Sequence, residues 1–416
     1  MNHNCMKNYY LLLASIVCIL WFPSHARSQH IEQVSIGANE LFRRHSIVLQ
    51  NKRVGVICNK SSLLVDGRHL IDKLLDRSVH ITAIFSPEHG FRSNVPAGEN
   101  VQQTVDPQLG IPIYSLYGKY TKPTKEMLQD VDALIFDLPD VGARFYTFAS
   151  TMALAMEAAQ ENKKRFIVLD RPNPLNGVEA EGPVLDTSFS SFVGMFPMPI
   201  RHGLTIGEIA RMIAFSWRDM STLDLVIIPM HSWKREYWLN EISVHWSSPS
   251  PNIKMFETTV VYPGTCLFEG TNVSEGRGTD HPFQYIGAPW IDEKQFASKL
   301  NGENLPGVTF NPIRFTPQAD SVAASNPKFK GVECRGVFVN VSDKKLFKPV
   351  ATAVRMLELL QSMYPDRLKF LEKTFDRLAG VASLRTTIQS GKRVDWKVYQ
   401  GAIDEFMKRR EEFLIY

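Results

Sequence analysis

The chain is short of the residues and patterns that mark several large classes of protein. It has 5 cysteines in 416 residues and no C-x-x-C pair. Once Cys5 and Cys18 are set aside with a leader segment, Cys58, Cys266 and Cys334 remain. An odd, widely spaced set is neither a disulfide framework nor a zinc or redox motif, and buried apolar thiols are expected. Charge of one sign is scarce too: 47 Lys and Arg against 43 Asp and Glu leave a net +4 with no long basic block. That excludes a dedicated nucleic-acid binder. After the leader no stretch reaches about 18 apolar residues, so no membrane span is expected there. Repeats and low-complexity tracts are absent. So are G-x-x-x-x-G-K-[ST], G-x-S-x-G and H-E-x-x-H. Gly276-x-Gly278 lacks the third glycine and the strand–helix setting of a dinucleotide site, and His89, His202 and His281 lack zinc spacing. Neither a cofactor nor a metal is expected.

What is present is an ordinary globular composition, 44% hydrophobic, 11% aromatic and 22% charged. At about 150 residues per domain the length suggests two domains or three small ones. Residues 1–26 carry Lys7 as their one charged side chain, an apolar run from Tyr9 to Phe22, and Ser24-His25-Ala26 at the end. A basic start, a short apolar run and a small-x-small close read as a secretory signal peptide. A secreted, periplasmic protein is therefore expected.

From residue 53 short β-rich runs alternate with helical stretches. Strands are expected at Arg53–Cys58, Ile81–Phe85, Ile113–Leu116, Ala133–Leu138, Arg165–Leu169 and Leu225–Ile228. Helices are expected at Leu70–Leu75, Phe145–Asn162 and Thr205–Trp217. Apolar strands flanked by helices indicate an α/β fold with a mostly parallel sheet. Ligands of such sheets sit beyond the carboxyl ends of the strands. After about residue 235 the rhythm changes, with Gly, Pro, Asn and aromatic residues concentrated between Ser247 and Pro289. A strand at Gly336–Val341 and helices at Ala351–Met363 and Val398–Glu412 follow. The expected division is a signal segment 1–26, a first domain 27–235 and a smaller second domain 236–416.

Three strand ends finish in polar, turn-forming clusters: S-P-E-H-G at 86–90, D-L-P-D-V-G-A-R-F-Y at 137–146 and L-D-R-P-N-P-L at 169–175. Glu88 directly follows an apolar strand, and partial screening from water suits a carboxyl group to proton donation. A helix cap or a pair with His89 explains it equally well. Asp140 is expected to face a cleft or to cap the next helix. Asp170 and Arg171 read as ligand contacts or as a local ion pair. Arg144, Arg171, Arg201 and Arg277 together suggest an anionic ligand, because a guanidinium grips a carboxylate in a two-pronged fork. The stretch Tyr262–Phe283 combines Gly264, Gly270, Gly276 and Gly278 with Glu269, Asn272, Ser274, Glu275, Arg277 and Thr279, and reads as a ligand-facing loop.

The ordered set S-P-E-H-G, F-D-x-x-D-V-G-x-R-F-Y-T, D-R-P-N-P, R-H-G-L-T-x-G-E and Y-P-G-T…F-E-G-T-N-x-S-E-G-R-G-T resembles the exo-β-N-acetylmuramidases, the NamZ-like family once called DUF1343. The resemblance spans essentially the whole chain after the signal segment. It implies a Rossmann-like first domain, a smaller α/β second domain and a cleft between them. It also implies release of terminal N-acetylmuramic acid from the non-reducing end of peptidoglycan fragments, without a bound cofactor. Glu88 stands where the family's leading catalytic glutamate stands. The lactyl carboxylate of that sugar matches an arginine-rich pocket. Glycoside cleavage ordinarily uses two carboxyl groups. The partner of Glu88 stays open between Asp140, Glu275 and Glu269, or the acetamido group of the substrate assists and Asp140 orients it. His89, Arg144, Tyr146, Asp170, Arg171, Asn173, Arg201, His202, Glu269, Asn272, Ser274, Arg277 and Thr279 are the expected substrate contacts. A periplasmic sugar-binding protein without catalysis is the competing expectation.

Overall fold

Apolar runs rich in β-branched residues become the central strands of the first sheet because those are buried on both faces, while the strands toward its edges are partly exposed. A computed structural model describes residues 33–91 and 104–416. The expected signal segment lies outside the described residues. Among these, the first sheet comprises β1 (Arg53–Cys58), β2 (His80–Ser86), β3 (Thr104–Val105), β4 (Pro112–Ser115), β5 (Ala133–Asp137), β6 (Arg165–Leu169) and β7 (Leu225–Ile228). Their order is β3-β4-β2-β1-β5-β6-β7. Every pairing is parallel except β3 with β4. Without the short edge strand β3, that is the Rossmann order, with its reversal between β1 and β5.

The helices in chain order are α1 (Gly37–Arg44), α2 (Leu70–Asp76), α3 (Phe148–Glu161), α4 (Ile206–Met212), α5 (Phe256–Thr265), α6 (Glu293–Gly302), α7 (Pro349–Met363), α8 (Glu372–Ala379), α9 (Ser383–Gln389) and α10 (Lys397–Arg410). One face of the first sheet packs with α1 and α2, through Ile36, Leu41, Leu70 and Leu74 against Val54, Val56 and Ile135. The other face packs with α3 and α4, and its core runs without a break into the second region. There β8 (Tyr285–Ala288), β9 (Val308–Phe315) and β10 (Cys334–Val341) form an antiparallel sheet in the order β8-β10-β9. The three cysteines are free and buried.

Two departures from expectation have local causes. The helix expected over 205–217 is α only to Met212 and then widens to a π turn over Ile213–Trp217. The Arg218 N–H bonds the Ile213 carbonyl, five residues back. Helix α5 forms through Y-P-G-T, a run that reads as a loop. Pro263 sits inside it, and Gly264 is needed because a Cβ there would run into the Pro349 carbonyl of α7.

The last residues return to the first sheet. The Tyr416 hydroxyl donates to Asp170 Oδ2 at 2.8 Å, the Ile415 N–H to Glu208 Oε1 at 3.0 Å, and Arg410 to the Val178 and Gly203 carbonyls. These bonds tie the chain's end to the strand ends that carry the site.

Candidate active site

A half-open cavity of about 100 Å³ lies where β2, the segment before α3 and the second region meet. The first region supplies Glu88, His89, Phe145, Tyr146 and Thr147, and the connecting segment supplies Ser250, Asn252 and Ile253. The second region supplies Tyr262, Cys266, Glu269, Arg277, Phe283 and Leu378. The volume is below the roughly 300–1,000 Å³ of an ordinary ligand pocket.

Glu88 follows the end of β2 and is 8% exposed. The Thr147 hydroxyl donates to its Oε2 at 2.8 Å. Tyr117 stands beside it; burial, with the Glu88 charge and hydrogen bond adding, pushes that phenol up to about 12. Tyr117 therefore keeps its proton throughout the neutral range. Two residues of the cavity wall, His89 (φ 72°) and Phe283 (φ 65°), occupy the left-handed region that bulky residues avoid. Such strain collects at functional sites, where the surroundings over-determine the backbone.

Asp140 lies beyond β5 and is 5% exposed. Its Oδ2 accepts from the Gly142 N–H at 2.7 Å and meets His202 Nε2 at 3.1 Å. His202 Nδ1 accepts the Leu204 N–H at 3.1 Å, so in the neutral ring the proton sits on Nε2 and points at Asp140. Asp140 Oδ1 is buried with no hydrogen-bond partner. The Tyr146 hydroxyl has none either, and it lies beside Ser250 without a well-formed bond. Burial pushes the Tyr146 phenol well above its ordinary value; Ser250 pulls it back, while the charges of Glu88 and Asp140 add to the rise.

The expectation that four arginines converge on one anion is not met. Arg277 alone among them lines the cavity. Burial opposes its charge, but Glu269 and Glu275 outweigh that and hold its pKa above the ordinary value. Its Nη2 is 2.6 Å from Glu269 Oε1, and its guanidinium lies 5.1 Å over the Phe283 ring. Arg144 is spent on architecture, donating to the Pro183, Met198 and Leu378 carbonyls at 2.6–2.8 Å. Burial lowers its pKa to about 9. Arg171 forms a two-pronged pair with Asp137 at 2.6 and 2.9 Å, not with Asp170. Arg201 bonds Glu179 and the Leu175 carbonyl and lies over Trp238.

Several other expected contacts also serve the fold. Asp170 accepts from the Arg171 and Gly207 N–H groups, the Thr205 hydroxyl and the Tyr416 hydroxyl. Burial first, then Glu208, pushes it up to about 7. Asn173 closes a turn through the Leu175 N–H and donates to the Leu204 carbonyl. Asn272 pins residues 367–369, Ser274 accepts from the Gly276 N–H, and Thr279 donates to the Gly276 carbonyl. Gly276 itself has φ 77°, which the turn requires. Glu275 is 3% exposed and paired with Lys328 at 2.9 Å; it does not line the cavity.

Sequence reasoning passed over Thr147, Tyr117, Ser250, Asn252 and Tyr262. Thr147 and Tyr262 were inside quoted motifs but carried no separate signal. Ser250 and Asn252 belong to the Pro- and Asn-rich run 247–253, whose composition was the only clue. No three His, Cys, Asp or Glu side chains among the described residues form a group able to hold a metal.

Fold and cavity together define a Rossmann-ordered α/β protein with an acid-bearing cavity walled on its other side by helix α5, the loop that follows it and α8. The chain belongs to the NamZ exo-β-N-acetylmuramidase family: the models of the family's N-terminal and C-terminal parts match residues 54–257 and 260–416. It is 42% identical over 388 residues to the peptidoglycan β-N-acetylmuramidase NamZ of Bacillus subtilis (strain 168), covering 92% of each chain. Crystal structures of two DUF1343 family proteins from Bacteroides fragilis NCTC 9343 share the fold. One has a TM-score of 0.82 at 32% identity, the other 0.75 at 34%, and each match covers 92% of this chain and 99% of the other.

Proposed function

We propose that this protein is an exo-acting glycoside hydrolase that releases terminal N-acetylmuramic acid from the non-reducing ends of peptidoglycan fragments, with Glu88 as general acid. The observation that carries the reading is the setting of Glu88. It is a buried carboxyl group at a strand end, held by Thr147, beside a phenol, in a cavity built from both halves of the chain. General acid work needs a carboxyl group held in place and shielded from bulk water. Arg277 is the guanidinium within reach of a lactyl carboxylate. Family membership and the B. subtilis relative support the substrate class. The basic, apolar and small-residue pattern of residues 1–26 supports secretion to the periplasm.

Release of chromophore from a chromogenic N-acetylmuramide is the test. Wild type is expected to turn the substrate over, and to prefer it to the N-acetylglucosaminide that lacks the lactyl group. A protein that binds the free sugar tightly and releases nothing is a receptor instead.

A further inference from the structure

A second cavity, of about 500 Å³, shares no lining residue with the one that holds Glu88. Its volume falls inside the roughly 300–1,000 Å³ of an ordinary ligand pocket. Phe256 and Val260 line it from one face of α5, while Tyr262, on the other face, lines the catalytic cavity. The segment before β8 divides in the same way: His281 and Gln284 line the second cavity, and Phe283 between them lines the first.

Polar groups at the rim of the second cavity are spent on the fold. Lys344 Nζ is held by Asn240 and, at 3.0 Å, by Glu241, and it lies 5.6 Å from the centre of the Phe256 ring. The Asn340 amide donates to Thr309 Oγ1 at 3.1 Å, and Asp343 accepts the Lys345 N–H at 2.9 Å. Two deeper groups are not spent. Gln284 is 5% exposed, and its Oε1 is buried without a hydrogen-bond partner; His281 Nδ1 is in the same condition. The Gln284 N–H donates to the His281 carbonyl at 3.2 Å, so amide and imidazole are neighbours. Tyr285 and Phe338 fix the imidazole, with ring centres 4.8 and 5.4 Å away. The Gln284 amide turns about a soft last torsion and can offer either its oxygen or its nitrogen to the cavity.

Unpaired buried polar groups cost free energy and call for a partner. An amide beside an imidazole is best met by groups that both donate and accept, as hydroxyls do. Around them Phe256, Val260 and Phe338 present apolar surface suited to C–H groups. The lining carries Glu257 and Asp343 against Lys344 and Lys345 and no arginine, so it does not select an anion; the catalytic cavity, with Arg277, does. A lipid tail would leave the polar pair unmet, and an acidic peptide would find no guanidinium. An uncharged pyranose satisfies every condition, with hydroxyls at its edge and C–H groups on its faces. We propose that this cavity is a second, non-catalytic binding site for an uncharged pyranose, N-acetylglucosamine of a glycan strand. The choice of that sugar among uncharged pyranoses rests on the glycosidase reading given above. Its effect is to tether the enzyme to a polymer and raise the local concentration of chain ends at Glu88.

The experiment titrates wild type with methyl β-N-acetylglucosaminide by ligand-observed NMR and repeats the titration with Gln284→Leu and Ser342→Trp. Gln284→Leu replaces the unpaired amide with an apolar group of similar size, so the melting temperature is not expected to fall. Affinity is expected to drop about tenfold, the worth of one hydrogen bond to the ligand. Ser342 is exposed at the rim, where an indole is expected to block the cavity and abolish binding without disturbing the core. Both variants are expected to hydrolyse a chromogenic N-acetylmuramide as wild type does, and to show a raised KM on peptidoglycan glycan strands. Binding that persists unchanged in both variants places the sugar elsewhere and overturns the proposal. So does an absence of binding by wild type. Binding of alanyl-glutamate in competition with the sugar overturns it too, since the site would then select acidic peptides. Binding and turnover are read separately: a wild type that binds the glycoside but leaves the muramide intact supports the second site and counts against the glycosidase reading alone.

Discussion

The strand ends of the first sheet and the 266–283 loop of the second region are both rich in arginine and acid, yet they do different work. At the strand ends Arg144, Arg171 and Arg201 turn inward and bond carbonyls and carboxylates of the fold, leaving only the Nε of Arg144 and of Arg201 as buried atoms without a partner among the three. In the second region Arg277 is held by two glutamates and still lines the cavity. Burial alone does not distinguish a ligand-binding arginine from a structural one. The distinction lies in where the donors go: those of Arg144, Arg171 and Arg201 that are paired meet the fold's own carbonyls and carboxylates, away from the cavity. The acids divide in the same way. Asp170 accepts four hydrogen bonds, whereas Asp140 keeps one oxygen unmet.

Substitutions can break that division. The largest effect is expected for Glu88→Gln, a loss of about 10²–10⁴-fold in turnover with near-normal binding, since general acid–base catalysis is worth that much. Steady-state kinetics beside calorimetric binding checks it; full activity would place the proton donor elsewhere. Arg171→Ala is expected to act on stability instead, costing about 3–5 kcal/mol because it strands the fully buried Asp137 carboxylate. Urea denaturation checks this, and an unchanged midpoint would remove Arg171 from the architecture.

Arg277→Ala is expected to raise KM for lactyl-bearing substrates by about tenfold or more, the worth of a charge-assisted hydrogen bond, with less effect on N-acetylglucosaminides. Equal damage to both substrates would return Arg277 to the structural group. Asp170 bears on pH dependence. Its native pKa of about 7 exceeds the ordinary 3.8. Between those values the native state holds a proton that the unfolded chain has released. Its stabilising contribution is therefore complete below about pH 4 and declines as pH rises to about 7. Melting temperatures from pH 4 to 8 should show a shallower decline in Asp170→Asn than in wild type. The smallest change is expected for Thr205→Ala. It removes the N-cap of α4, whose hydroxyl accepts the Glu208 N–H, for about 1 kcal/mol by the same denaturation assay.

The first region was the more legible half. Arg53–Cys58, Arg165–Leu169 and Leu225–Ile228 form where they are expected; the first two are apolar after an opening arginine because those residues are buried on both faces, and the third is a partly buried edge strand. Strand β9 escaped notice, since V-T-F-N-P-I-R-F alternates around a proline on a half-exposed sheet. Helix α5 was hidden by Pro263 and Gly264. Within the site, Glu88 and Arg277 were readable as strand-end and loop residues. Ser250 and Asn252 were not, for they reach the cavity from a segment without periodicity.

Local chemistry along the chain settled which strands form, where they end, and that polar turns carrying Glu88, Asp140 and Asp170 follow three of them. Those features depend on neighbours two to four residues away, and a linear string records such neighbours. Folding alone decided which of these groups would meet a ligand. Whether an arginine finds a carbonyl 234 residues distant, as Arg144 finds Leu378, depends on how two layers pack.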